Sequence, residues 1–180
     1  DLADTPLGRA VREAGLDTLA GARAYDEGVD LKKPGLGRRR RTRIRLTDEN
    51  GTEHTLFLKR YLHKPPPGGL SRFRFLKRTE DVSPARVEAE NIRRCTEAGI
   101  PTMTLVAHGV EPGCGDRGFA YTLVTKVPGK PLDSVPMKRC DEEPEFGGDV
   151  ARVAAALARR LHDAGLVHRD FYACQIGRAH

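Results

Sequence analysis

The segment near the carboxyl end of the sequence carries the residues best suited to chemistry. It reads Val167-His168-Arg169-Asp170, and an amide side chain, Gln175, follows five positions after the aspartate. An aspartate can accept the proton of a hydroxyl that attacks a phosphate, and an amide oxygen at this spacing can hold a magnesium ion. The two groups must lie close together, because the attacking oxygen has to be in line with a metal-bound phosphate. The spacing fits phosphoryl transfer, but an Arg-Asp pair such as Arg169-Asp170 is more often a surface ion pair, so the interpretation depends on the elements that precede this segment.

A lysine at the centre of an otherwise apolar strand is the second candidate for chemistry. The alternation over residues 54–61 predicts Leu56, Leu58 and Arg60 on one face and Phe57, Lys59 and Tyr61 on the other. Burying an ammonium group without a partner is costly. Lys59 therefore either contacts nucleotide phosphates and a helix glutamate, or lies on an edge strand where its charge discourages aggregation.

A helix predicted over residues 83–97 supplies the carboxylate that Lys59 would need. Its start carries a serine N-cap followed by proline, and its end carries Ala-Gly with a proline just beyond. Glu88 lies on the same side as Ile92 at helical spacing, whereas Glu90 lies about 200° round the helix axis. Glu88 is therefore the predicted partner of Lys59, and the alternative is a solvated glutamate on a charged helix.

The elements that position Lys59 are predicted to form a small antiparallel sheet. Residues 38–46 alternate as a strand, Asn50-Gly51 is a tight-turn signal, and residues 54–61 form the return strand. Two more strands are predicted over residues 101–110 and 119–125. On the first strand Thr42, Ile44 and Leu46 share one face, and Arg39, Arg41, Arg43 and Arg45 share the other.

An amphipathic helix leads into the His-Arg-Asp segment. Its apolar residues recur at helical spacing, and it ends near Ala164-Gly165. The apolar residues of this helix are Val150, Val153, Ala154, Leu157 and Leu161. Residues 133–148, which precede this helix, are predicted to be a polar loop. Residues 1–30 are predicted to be an N-terminal extension with two short helices, to which no chemistry is assigned.

Composition sets limits on the class of protein. The 180 residues allow one domain or two small lobes that share a cleft, and 38% hydrophobic with 31% charged residues exclude a disordered chain. The net charge of +6, from 31 basic and 25 acidic residues, favours an anionic partner such as a nucleotide, a phosphorylated sugar, an anionic lipid surface or a nucleic acid, without choosing among them. No apolar run approaches the ~18 residues of a membrane-spanning helix. The four cysteines lack zinc-ligand spacing, which favours reduced thiols in a cytosolic protein.

The order of these elements resembles the protein-kinase-like superfamily. Within it, the sequence is similar to the bacterial lipopolysaccharide kinases that phosphorylate Kdo or heptose of the inner core, over roughly residues 35–176. The likeness rests on Gly37-Arg38-Arg39, on Phe57-Leu58-Lys59-Arg60-Tyr61, on Glu88 followed by Ala98-Gly99-Ile100-Pro101-Thr102, and on Leu161-His162-Asp163-Ala164-Gly165 running into His168-Arg169-Asp170-Phe171-Tyr172.

The resemblance implies a particular fold and division of the chain. We expect an α+β, protein-kinase-like fold with an antiparallel-sheet N-lobe and one main helix in residues 31–127. Residues 128–180 would form the hinge and the start of a helical C-lobe, which is incomplete after the catalytic loop.

The resemblance also implies roles for single residues in an ATP-dependent phosphotransferase that uses ATP and Mg²⁺. Lys59 would hold the phosphates of ATP, and Glu88 would orient Lys59. Asp170 would be the catalytic base, and Gln175 would be a magnesium ligand. His168 and Arg169 would brace the loop.

The implied acceptor is a hydroxyl of an anionic saccharide or glycolipid of the lipopolysaccharide-core type. Kdo, heptose, another sugar and a protein serine all stay open as acceptors. The implied location is the cytoplasm at the inner face of the inner membrane, with a peripheral contact to the membrane surface. We expect no nucleic-acid partner, because alternating arginines on one strand face are usually solvated.

The nucleotide contacts expected from the resemblance are less complete than in typical kinases. No G-x-G-x-x-G is present, and Gly35 and Gly37 form only a partial phosphate-covering loop, for which Arg38 or Arg40 would compensate. Adenine is expected to bind to backbone groups where the strand predicted over residues 119–125 ends. The residues predicted there are Thr125, Lys126 and Val127.

Two departures from the kinase pattern keep other functions open. Gln175 replaces the usual asparagine, and the sequence ends ten residues after Asp170, before the expected Asp-Phe-Gly aspartate. We therefore expect little or no activity from these 180 residues alone, and we expect that Asp1 is not the natural start. A non-catalytic kinase-like module that binds nucleotide or a partner is the second hypothesis, and a nucleic-acid-binding domain that uses residues 38–45 is the third.

Overall fold

The computed structural model divides the chain into two compact units. Its described residues are 4–31, 39–62, 83–111, 118–134, 139, 142–167 and 177–178. The first unit comprises Asp1–Glu90 and Met103–Lys126, and the second comprises Asn91–Thr102 and Val127–His180.

A five-stranded sheet forms the centre of the first unit. Its strands are β1 (Val29–Asp30), β2 (Arg39–Thr47), β3 (Glu53–Leu62), β4 (Leu105–Val110) and β5 (Phe119–Thr125). They are arranged in the order β1-β2-β3-β5-β4, and every neighbouring pair is antiparallel. β5 is the most apolar strand and is buried along nearly its whole length, because it has a strand on each side and packing on both faces. The predicted antiparallel sheet is confirmed.

A capped tight turn sets the register of β2 against β3. The Oδ1 atom of Asp48 accepts the amides of Asn50 at 2.9 Å and Thr52 at 3.0 Å, and Gly51 takes the left-handed φ of 78° that the turn requires. The His54 Nε2 atom lies 2.8 Å from the other carboxylate oxygen of Asp48. Hydrogen bonding to His54, and then to the Thr52 amide, lowers the pKa of Asp48. The hairpin predicted from Asn50-Gly51 is thus present.

Two short helices cover one face of the sheet. In α1 (Pro6–Glu13) the Thr5 hydroxyl caps the helix by accepting the Gly8 amide at 3.1 Å, and in α2 (Leu19–Ala24) Thr18 caps in the same way. The apolar side chains of these helices and of the segment between them pack against β2, β3 and β5. The buried cluster is Leu7, Val11, Leu16, Ala22, Ile44, Leu56, Leu58, Phe119, Tyr121 and Leu123. Residues 1–30 therefore include part of the core that supports β3.

The opposite face of the sheet packs against the start of α3 (Pro84–Glu97). Ala85 is fully buried and contacts Tyr61 and Ala120, with Val110 beside them. Small residues on this side of the helix allow a close approach to the strands. The alternation predicted for β3 is confirmed, because Leu58 and Tyr61 pack in clusters on opposite faces.

A buried arginine ties the edge of the sheet to the segment that precedes it. Arg60 is 3% exposed, and it donates to the Tyr25 carbonyl at 2.6 Å and to the Thr42 hydroxyl at 2.8 Å. That hydroxyl in turn donates to Asp30 at 2.7 Å, and Arg40 donates to the second oxygen of Asp30 at 2.7 Å. These hydrogen bonds, led by the one from Thr42, lower the pKa of Asp30. The two-residue strand β1 is held in place by this network.

The second unit is built on the helix α4 (Pro144–Asp163). Leu161 and, less deeply, Leu157 pack with Ile100, Leu166 and Cys95 in its apolar cluster. A 3-10 turn (Leu132–Ser134) follows the strand β6 (Lys130–Pro131), which pairs with β7 (Gly177–Arg178). No helix in the described part of the chain combines the length and the apolar character that a membrane crossing requires.

Two predicted boundaries are wrong. Residues 144–148 are predicted to be in a loop, but α4 begins at Pro144. Pro144 and Glu145 lie in the first turn of the helix, where proline and an acidic residue favour a helix start. The strand predicted from residue 101 begins at Leu105. Thr104 is held instead through its amide, which donates to the Thr125 hydroxyl at 2.9 Å.

Replacing Arg60 by methionine should destabilise the first unit. The variant Arg60→Met leaves the partly buried Tyr25 carbonyl and the buried Thr42 hydroxyl without their cationic donor, so we expect the free energy of unfolding to fall by about 2–3 kcal/mol. Urea unfolding followed by circular dichroism measures this. The control Arg45→Met removes an exposed arginine from β2 and should change the value by less than about 0.5 kcal/mol. Equal stability of the two variants would show that the buried network contributes nothing.

Candidate functional site

Lys59 lies at the centre of the sheet. β3 is flanked by β2 and β5, and Lys59 is opposite Arg41 on one side and opposite Thr122 on the other. Its side chain is only 14% exposed. The interpretation of Lys59 as an edge-strand residue is therefore wrong, and its burial requires a partner.

Glu88 of α3 supplies that partner. Its Oε1 atom forms an ion pair with the Lys59 ammonium, and both side chains are largely buried. The Met103 sulfur lies 3.9 Å from the same ammonium. Glu88 faces the sheet because it lies on the side of α3 that also carries Ala85 and Ala89, which are both fully buried. The structure thus brings together the two residues that the sequence pattern pairs.

The second oxygen of Glu88 accepts two further hydrogen bonds. The Tyr61 hydroxyl and the Thr122 hydroxyl each donate to Oε2 at 2.8 Å. Sequence reasoning missed both residues. Tyr61 could have been found, because it follows Lys59 by two positions on the same strand face. Thr122 could not, because its place beside Lys59 depends on the pairing of β3 with β5.

These contacts decide the charge of the carboxylate. Burial acts to raise the pKa of Glu88, but the charge of Lys59 and the hydrogen bonds from Lys59, Thr122 and Tyr61 together lower it. Burial and the negative charge of Glu88 raise the pKa of Tyr61, so its hydroxyl stays a donor. The result is an ionised carboxylate at Glu88 with both of its oxygens in use.

The chain leaves the sheet at the residues predicted to bind adenine. Thr125 ends β5, and its amide donates to the Thr104 carbonyl at 3.0 Å. The Lys126 amide donates to the Thr55 carbonyl at 3.0 Å. The first unit ends at Lys126, and the second resumes at Val127, which is exposed.

Several predicted site residues lie outside the described part of the chain. These undescribed residues are Asp170 and Gln175, His168 and Arg169 of the same loop, and the two glycines of the expected phosphate-covering loop, Gly35 and Gly37. Their roles stay predictions, as does a cleft shared by Lys59 and Asp170. Within the described ranges no group of three or more acidic, histidine or cysteine side chains could hold a metal ion.

Of the two arginines expected to compensate for the partial glycine loop, one is placed elsewhere. Arg40 is paired with Asp30, opposite Arg60, on the face of the sheet away from Glu88. Its side chain is committed to the β1 network. Arg38 lies outside the described residues.

Comparisons with known proteins agree on one family. The sequence profile of the lipopolysaccharide kinase (Kdo/WaaP) family matches residues 36–177. The lipopolysaccharide core heptose(I) kinase WaaP of Pseudomonas aeruginosa is 32% identical over 94 residues, which make up 50% of this chain and 35% of that protein.

A solved structure described as WaaP in complex with acyl carrier protein is similar in fold. It has a TM-score of 0.58 and 24% sequence identity, and the match covers 90% of this chain and 58% of that one. At this identity the likeness confirms the fold, which is the predicted protein-kinase-like α+β arrangement. The chain spans about a third of the matched Pseudomonas protein and somewhat over half of the solved chain.

Replacing Glu88 by glutamine should reveal its charge through the pH dependence of stability. The variant Glu88→Gln leaves Lys59 without a counter-charge, so we expect a loss of about 2–3 kcal/mol in the free energy of unfolding at pH 7. Because the folded pKa of Glu88 is below its usual value of 4.5, its contribution is present above that pH and is lost as the pH falls through the folded pKa. The difference between wild type and variant should therefore shrink between pH 5 and pH 3.

Urea unfolding of the wild type and the variant at pH 5 and at pH 3 measures this difference. The control Glu97→Gln removes an exposed carboxylate from the same helix and should change stability by less than about 0.5 kcal/mol at either pH. A Glu88→Gln effect that is the same at both pH values would contradict an ionised Glu88.

Proposed function

The chain belongs to the lipopolysaccharide kinase (Kdo/WaaP) family, and we propose that it acts as an ATP-dependent phosphotransferase on a hydroxyl of a lipopolysaccharide-core sugar. The observation that carries the proposal is the ion pair between Lys59 on β3 and Glu88 on α3. A strand lysine paired with a helix glutamate is the arrangement that kinases use to hold nucleotide phosphates.

The ion pair fits the demands of phosphate binding. Glu88 holds the ammonium group in a fixed direction through Oε1, while Tyr61 and Thr122 hold the carboxylate through Oε2. The side-chain entropy of Lys59 is therefore lost on folding and not on binding. A cation fixed in a partly buried site attracts a phosphate more strongly than a cation in water does. ATP, when bound, supplies the phosphoryl group that is transferred.

Asp170 and Gln175 would complete the chemistry. Asp170 would accept the proton of the acceptor hydroxyl, and Gln175 would hold Mg²⁺ through its amide oxygen. These roles rest on the spacing of the two residues and on the family resemblance.

Adenine would bind where the chain leaves β5. The residues proposed for it are Thr125, Lys126 and Val127. The Lys126 amide already donates to Thr55, so the backbone donor for adenine would come from a neighbouring residue. Val127 is the first candidate, because it follows Lys126 and is exposed.

The acceptor class follows from family and charge. The similar Pseudomonas protein is named as a heptose(I) kinase, and a net charge of +6 suits an anionic saccharide or glycolipid. We place the reaction in the cytoplasm at the inner face of the inner membrane, where a peripheral contact would bring the protein to such a glycolipid. The alternative, a non-catalytic nucleotide-binding module, is favoured by one observation, the glutamine at position 175.

Removing the Lys59 ammonium should weaken nucleotide binding. We expect Lys59→Ala to lower the affinity for ATP with Mg²⁺ by at least about tenfold, since a charge-assisted hydrogen bond is lost. Isothermal titration calorimetry measures it. Arg86→Ala, which removes an exposed cation from α3, is the control and should bind ATP as wild type does. Wild-type affinity in Lys59→Ala would remove Lys59 from the nucleotide site, and absence of ATP binding in the wild type would reject the proposed function.

Replacing Asp170 by asparagine should separate binding from chemistry. Asp170→Asn removes the proton acceptor but keeps the size of the side chain, so ATP affinity should stay within about twofold while turnover falls by about 10²–10⁴. Turnover is measured as phosphate transfer to lipopolysaccharide core oligosaccharide by the full-length protein. Turnover close to that of the parent protein would show that Asp170 is not the base.

A further inference from the structure

The strand next to Lys59 places a second cation beside it. Arg41 of β2 is directly opposite Lys59, so both side chains extend from the same face of the sheet. The Arg41 carbonyl accepts the Leu31 amide at 2.8 Å, on the side away from β3. Arg41 and Lys59 therefore form a non-hydrogen-bonded pair, in which the Cα atoms approach to about 4.5 Å and the side chains are closest.

This juxtaposition is electrostatically unfavourable in the protein alone. Like charges directly opposite each other on a sheet destabilise it. Glu88, the carboxylate on this face, already accepts from Lys59, Tyr61 and Thr122. Among the described residues, no carboxylate forms an ion pair with Arg41.

The guanidinium of Arg41 is also short of hydrogen-bond acceptors. Its Nε atom is buried and has no hydrogen-bond partner among the described residues. A buried donor without an acceptor costs free energy, and such groups are uncommon in folded proteins. An anionic acceptor that bound Arg41 and Lys59 together would remove both the repulsion between the two cations and the cost of the unsatisfied Arg41 donor.

The other arginines of β2 differ from Arg41. Arg40 is paired with Asp30 on the opposite face. Arg39 and Arg43 are exposed, and Arg45 is 65% exposed with Glu53 at 3.7 Å. Arg41 alone in this described strand combines partial burial, an unpartnered nitrogen and a position opposite Lys59.

We propose that Arg41 is a second phosphate ligand, which binds the triphosphate of the nucleotide together with Lys59. A planar guanidinium can donate two parallel hydrogen bonds to phosphate oxygens, and an oxyanion between the two side chains would neutralise both cations. Arg41 would thus supply part of the attraction that a complete glycine-rich loop supplies through its amides. The inference rests on the proposed function, since it assigns the anion to the nucleotide that Lys59 holds.

The test compares two arginines of the same strand. Arg41→Gln removes the proposed ligand. Arg45→Gln removes the same charge from the same face, about 13 Å along the strand. Each variant and the wild type are titrated calorimetrically with ATP, with inorganic triphosphate and with adenosine, all with Mg²⁺. A third variant, Arg41→Lys, keeps the charge without the planar fork.

The expected result is a selective loss in Arg41→Gln. Affinity for ATP and for inorganic triphosphate should fall by about 10- to 100-fold, whereas affinity for adenosine should not change. Arg45→Gln should bind all three as wild type does, and Arg41→Lys should recover part of the loss. Without ligand, the melting temperature of Arg41→Gln should equal or exceed that of wild type, because repulsion with Lys59 is relieved. A purely structural role would lower it.

The outcomes separate this inference from the proposed function. Wild-type affinity for ATP in Arg41→Gln, with ATP binding intact in the wild type, would overturn the role of Arg41 and leave the proposed function standing. An equal loss of ATP affinity in Arg45→Gln would show that only general charge attraction is at work, and it would also overturn the role of Arg41. Arg41-dependent binding of inorganic triphosphate, with no gain in affinity from the adenosine part of ATP, would keep the anion site and reject the nucleotide. No binding of either phosphate compound by the wild type would reject both.

Discussion

The carboxylate of Glu88 is the group on which the described site depends. It is largely buried, and a buried carboxylate stays ionised only when opposite charge and hydrogen-bond donors replace water. Lys59 supplies the charge, and Tyr61 with Thr122 supplies the donors to the second oxygen. Because these three partners come from β3 and β5 and the acceptor from α3, the hydrogen bonds also fix the helix against the sheet. One interaction therefore sets both the charge of the site and the position of its main helix.

The strand β3, which carries Lys59, also binds the layer of short helices on the opposite face of the sheet. Successive residues of β3 point to opposite faces, so Lys59 meets Glu88 while its neighbour Arg60 reaches the Tyr25 carbonyl and Thr42. A shift of β3 by one residue would exchange these two environments and bury each cation among the wrong partners. The capped turn at Asp48 and the apolar packing under β3 exclude such a shift. The position of Lys59 is thus determined from both sides of the sheet.

Local sequence signals predicted much of this arrangement. Asn50-Gly51 fixed the hairpin, the alternation along residues 54–61 assigned the faces, and helical spacing selected Glu88. Each of these signals acts over a few residues, where the periods of strand and helix are decisive. The strand β1 was missed, because two residues carry no periodic pattern.

Partners that are distant in sequence were harder to find. Thr122 and Arg41 lie beside Lys59 only through the pairing of β3 with β5 and with β2. Sequence reasoning named Arg38 or Arg40 as the compensating cation. The structure places Arg41 beside Lys59 and Arg40 on the opposite face, because successive residues of a strand alternate between faces. The Oε2 atom of Glu88, which Tyr61 and Thr122 share, also constrains how this chain can evolve. If Glu88 were replaced by a residue without a carboxylate, the buried hydroxyls of Tyr61 and Thr122 would be left without an acceptor. Positions 61, 88 and 122 therefore form one unit of constraint, and we expect descendants of this chain to change them together or not at all.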